Sequence, residues 1–70
     1  MTIDIPAFTQ KQTMDQVVTR AVLIRQSVRT PTGRIGRVTG EHDGRINIEF
    51  DDLEGGEVSL RPQLVEFLPP

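Results

Sequence analysis

Six arginines, Arg20, Arg25, Arg29, Arg34, Arg37 and Arg45, are the side chains in this sequence with the most obvious chemistry. A guanidinium presents a planar fork of donors that matches phosphate or carboxylate oxygens, so several on one surface could track a nucleic-acid backbone. Arg29, Arg34, Arg37 and Arg45 fall in or beside segments that read as strands and form the candidate binding surface. Strand arginines also pair with carboxylates on a neighbouring strand, here Glu49, Asp51 or Glu57, and such exposed pairs contribute only about 0–1 kcal/mol. Nothing aromatic is free to stack on bases, since the chain has no Trp, no Tyr and three Phe.

A second group is acidic: Asp51, Asp52, Glu54 and Glu57 within one short stretch. Carboxylate oxygens suit hard cations, but the spacing is not that of a calcium-binding helix–loop–helix, and the expectation is a solvated loop with no metal. His42 is the sole histidine and cysteine is absent, which removes thiolate and multi-histidine metal sites. With no nucleophile beside His42, no catalytic residue and no cofactor are expected. Enzyme activity would need a pore shared among several copies.

Charge is unevenly distributed. Between Arg20 and Gly40 lie five arginines and no acid, whereas eight acids oppose two arginines from Glu41 to Pro70; Lys11 against Asp4 and Asp15 brings the total to −2. Such asymmetry points to an interaction surface or to self-complementarity between copies. The longest apolar run, Ala21 to Ile24, is far short of the roughly 20 residues that span a bilayer, so a cytoplasmic protein with no membrane partner is expected. At 70 residues the chain makes one small domain, for which oligomerisation is a common reinforcement.

The elements that must position these side chains are legible in turn. Residues 1–12 lack a sustained period and hold Pro6, which predicts an extended or disordered arm. Thr13 followed three residues later by Gln16 fits a capping box, and Met14, Val17, Val18, Ala21 and Val22 share one helical face, so residues 13–24 should form a short amphipathic helix. From Ser27 the pattern changes to period two. Strands are expected at Ser27 to Thr30, Arg34 to Gly40, Arg45 to Asp51, Glu57 to Leu60 and Val65 to Leu68, with Pro31/Gly33 and Asp43-Gly44 turning the chain.

Ile35 and Val38 are three apart, so a bulge at Gly36 is expected to turn both inward. Ile46, Ile48 and Phe50, then Val58 and Leu60, then Val65 and Phe67 should complete the core. Arg61-Pro62-Gln63-Leu64 should form a 3₁₀ turn, with proline suited to its first position. Mainly β architecture follows: a five-stranded barrel over residues 25–70 with a short N-terminal α-helix, closed so that no edge is exposed.

The motifs S-V-R-T-P-T-G-R-I-G-R-V, I-N-I-E-F, V-S-L and L-V-E-F-L give residues 27–68 a pattern that resembles an SH3-like small barrel of the KOW/Tudor type. In KOW modules the loops beside the second strand contact RNA or polymerase, and Arg34 and Arg37 occupy those positions. The resemblance implies a non-enzymatic binding module, a small accessory or regulatory protein contacting nucleic acid or its machinery. It is similar also to photosystem and ferredoxin-linked accessory barrels, which dock proteins. Plasmid-encoded dihydrofolate reductase resembles it in architecture, but the V-Q-I-Y pore segment aligns with Val58-Ser59-Leu60-Arg61, and its activity is not implied. The alternative reading is therefore a protein-docking or self-associating adapter without nucleic-acid contact. Its candidate self-association residues are Met14, Val17 and Val18 on the helix and Asp51, Asp52 and Glu54 in the acidic loop.

Overall fold

The computed structural model describes residues 13–70. The arm expected over residues 1–12 lies outside the described residues. Helix α1 (Met14–Ile24) is followed by strands β1 (Ser27–Arg29), β2 (Ile35–His42), β3 (Arg45–Phe50) and β4 (Glu57–Leu60), a 3₁₀ turn (Pro62–Leu64) and β5 (Glu66–Phe67). All strand pairs are antiparallel, in the order β4-β3-β2-β1-β5.

Helix α1 begins with both halves of its capping box. Thr13 Oγ1 accepts from the Gln16 N–H at 3.2 Å, and Gln16 Oε1 accepts from the Thr13 N–H at 2.9 Å. These bonds satisfy donors that no preceding turn can reach. The helix ends at Arg25, which takes a left-handed conformation (φ 51°) so that the Gln26 N–H can return to the Ala21 carbonyl at 2.9 Å. Val18 and Ala21 are buried against the sheet, which gives so short a helix the tertiary support it needs.

The hairpin turns follow local residue chemistry. At the first, the Gly33 N–H donates to the Thr30 carbonyl at 2.9 Å, with Gly33 at φ 90°. Thr30 is nearly buried, and its Oγ1 bonds Thr32 Oγ1 and the Arg34 N–H. The second turn is Asp43-Gly44, flanked by the His42–Arg45 pair, with φ 54° and 75°. Positive φ at both central residues is the type I′ geometry, whose twist suits a two-residue hairpin.

Val28, Val38, Ile46 and Ile48 are fully buried and, with Phe50, Val18 and Ala21, make the core. Each large aliphatic side chain so buried is worth about 1.5–3 kcal/mol. Leu60, Val65 and Phe67 pack on its margin.

Three expectations require correction. The sheet is not closed into a barrel: the two residues of β5 pair with β1 alone, and no ladder joins β5 to β4. The second strand has no bulge at Gly36. The register shift falls between Val38 and Gly40, so Gly36 and Val38 face inward and Ile35 faces out, half exposed. Gly36 is inward because the Phe50 ring and Ile48 fill the space where a side chain would stand. Val58, expected in the core, is 36% exposed, since β4 has no described neighbour on its outer side.

Candidate functional site

The ladder decides what the arginines can touch. Outward positions on successive strands line up in rows, and one row runs Glu57, Glu49, Arg37, Ser27 from β4 to β1. A second brings Ile35, Arg29 and Glu66 together. Arg29 Nη1 lies 2.9 Å from Glu66 Oε1, and Arg37 Nε lies 3.6 Å from Asp51 Oδ2. Carboxylates thus neighbour both arginines on this face, and it is not a basic surface.

Arg34 stands apart, at the end of the sheet where the Thr30–Gly33 turn meets the β3–β4 loop. Its fork grips Asp52: Nη2 donates at 2.7 and 2.8 Å, and Nε donates at 3.1 Å. Nη2 also donates to the Gly55 carbonyl at 3.0 Å, and the guanidinium lies 3.8 Å from the centre of the Phe50 ring. Glu54 is a looser neighbour at 3.9 Å. Hydrogen bonding from Arg34 holds the Asp52 carboxyl below its ordinary pKa, opposed by partial desolvation and helped by the Gly55 N–H. Asp52 in turn accepts from that N–H through both its carbonyl and Oδ1, so one arginine staples the whole loop.

Arg45 sits at the opposite end of the sheet, beside the Asp43-Gly44 turn, where Nη1 makes a long 3.4 Å bond to the Ser59 carbonyl. The four candidate binding arginines therefore occupy three separate places. Their rows and clasps could not be read without the strand register.

Several of the candidate self-association residues are engaged within the chain, whereas Met14 and Glu54 stay exposed. Val18, on the inner face of the helix, is buried in the core and Val17 is half-buried. Asp51 and Asp52 are the partners of Arg37 and Arg34. Met14, 40% exposed, contributes to something the sequence did not announce: a groove of about 710 Å³ between α1, the β2–β3 hairpin and the 3₁₀ turn. Val18, Val22, Leu23 and Pro62 give it an apolar floor, with Asp15 and Glu41 as its charged groups. Neither carboxylate has an ion-pair partner among the described residues.

The chain matches no protein-family model, no curated protein and no solved structure.

His42 is exposed, with its Nε2 3.2 Å from Oδ2 of the adjacent Asp43. Among the described residues no three His, Asp or Glu side chains gather to hold a metal ion, and no helix is long and apolar enough to cross a membrane. The signal for the groove was present in Leu23, an apolar residue that stands outside the helix's buried stripe, lines the groove and remains 77% exposed.

Proposed function

We propose that this chain is a non-enzymatic protein-docking module that receives an apolar, lysine- or arginine-bearing segment of a partner protein in the groove beneath α1. The strand order, the antiparallel connections and the 3₁₀ turn before β5 are compatible with an SH3-like module of the KOW type. Such modules carry many unrelated functions, so the site rather than the fold must supply the reading. The observation that carries it is a groove with an apolar floor whose charged groups, Asp15 and Glu41, are both acidic and both without a described cation. Its volume lies within the roughly 300–1,000 Å³ of ordinary binding clefts.

The arginine surface supports nucleic-acid contact less well. Phosphate would have to displace Glu66 from Arg29, Asp51 from Arg37 and the bidentate Asp52 from Arg34. Among the described residues no aromatic side chain on the outer face would add stacking.

The test is an NMR titration of the ¹⁵N-labelled full chain with a short synthetic peptide alternating leucine and lysine. Amide shifts should concentrate at Val18, Val22 and Leu23. Replacing lysine by glutamate in the peptide, or Leu23→Arg in the protein, should abolish them. Equal response to the acidic peptide, or no response to the basic one, would overturn the reading. So would binding of a single-stranded oligonucleotide that Arg37→Ala eliminates.

A further inference from the structure

The outer edge of β4 is unpaired among the described residues. Its hydrogen-bonding phase follows from the Phe50 N–H, which donates to the Gly56 carbonyl across the same ladder at 3.0 Å. Antiparallel bonded and non-bonded pairs alternate, so Val58 and Leu60 bond inward to Ile48 and Ile46. Glu57, Ser59 and Arg61 then direct their backbone N–H groups away from β3, as Glu57 and Ser59 do their C=O groups; the Ser59 carbonyl also carries the long Arg45 bond at 3.4 Å, and the Arg61 carbonyl is taken by the Leu64 N–H at 3.0 Å. Arg61 prolongs this edge, being extended (φ −71°, ψ 140°), and Pro62, lacking an N–H, ends it.

The edge reads Glu57-Val58-Ser59-Leu60-Arg61 and is self-complementary when turned antiparallel to itself. We propose that a second copy of this chain pairs along it about a two-fold axis through Ser59. The two Ser59 residues then exchange both backbone bonds, and each Arg61 N–H reaches the Glu57 carbonyl of the other copy. Val58 falls beside Leu60 of the other copy on the core face, which covers the exposed Val58. On the outer face, each Glu57 meets Arg61.

This last pairing answers a charge problem within the sheet. Glu57 stands directly opposite Glu49, a like-charge pair that is unfavourable across strands. Arg37 neighbours Glu49 on the far side, leaving Glu57 at the end of the row with no described cation. An arginine from a second copy would give Glu57 the counter-charge that Arg37 gives Glu49. The two sheets join into one, with both core faces on the same side, and the contact is isologous as closed dimers require. It leaves the groove beneath α1 separate and does not depend on what that groove binds.

A short strand pair buries less than the roughly 1,200 Å² of a standard interface, so dissociation should occur within about 0.01–1 mM. Sedimentation equilibrium of the full chain over that range should show a monomer–dimer transition. In a mixed sample of labelled and unlabelled chains, a filtered nuclear Overhauser contact should join the Val58 Hα to the Leu60 Hα of the other copy. Glu57→Arg removes the Glu49 clash, so the monomer keeps its fold, but it sets arginines against each other and should weaken dimerisation at least about tenfold. Adding Arg61→Glu should restore it. A chain monomeric at 1 mM would overturn the proposal. So would a dimer indifferent to Glu57→Arg, which would place the contact at the groove or at residues 1–12.

Discussion

Gly36→Ala should destabilise this fold although the backbone there suits any residue. A Cβ at Gly36 would stand 2.6 Å from Ile48 Cγ2, 2.7 Å from the Glu49 carbonyl oxygen and 2.9 Å from Phe50 Cδ1. Real Cβ atoms do not approach so closely. The Glu49 oxygen cannot retreat without pulling β3 away from β2, and the Phe50 ring is itself in contact with the Arg34 guanidinium, 3.8 Å from its centre. Overpacking of this kind costs about 1–3 kcal/mol. Against it, alanine restricts the unfolded chain more than glycine, a gain of about 0.4–1 kcal/mol. The net loss is about 1–2 kcal/mol, and each kcal/mol should lower Tm by about 4–8 °C in a domain of this size. Gly40→Ala is the internal control. There a Cβ meets only Asn47 Nδ2, at an ordinary 3.8 Å, so the entropic gain should stand alone and the variant should match or exceed the parent. Far-UV circular dichroism through thermal and urea unfolding is the suitable assay, since the chain has neither Trp nor Tyr. If Gly36→Ala were as stable as Gly40→Ala, the inward placement of Gly36 under Phe50 would be wrong.

Other perturbations test the helix and the loop clasp. Thr13→Ala removes one bond of the capping box and should cost about 0.5–2 kcal/mol, read as a shift of the urea midpoint. Arg25→Gly relieves a non-glycine residue from the left-handed region (φ 51°) and should stabilise the chain by about 0.5–1 kcal/mol in the same assay. The Asp52 carboxyl titrates lower in the folded than in the unfolded chain, so its stabilising contribution is present above the unfolded pKa and disappears as pH falls through the folded one. Arg34→Gln should abolish that acid-side loss and return the Asp52 titration, followed by carboxyl NMR, toward the ordinary range; an unchanged titration would show that Arg34 is not its cause.

What could be read from sequence here was whatever a few neighbouring residues decide among themselves. Thr13 and Gln16 cap each other, Asp43-Gly44 supplies two positive φ angles, and Ile46, Ile48 and Phe50 alternate cleanly, so helix, tight hairpin and central strand were all evident. Ile35 and Val38 show where that stops. Each is an apolar strand residue, and nothing beside them says which faces inward. The choice is made from β3, where Phe50 fills the room beside Gly36, so the irregularity moves up the strand to the Val38–Gly40 step. The arginines obey the same division. Their number was evident, but Arg29 finds its carboxylate 37 residues away and Arg34 finds its own 18 residues away, distances that only the register closes. Once closed, those pairs turn a chain whose halves differ sharply in charge into a sheet face of mixed sign. The one row that does not balance ends at Glu57, on the edge strand with no described neighbour, and that imbalance is what a counter-charge brought to the outer edge of β4 would relieve.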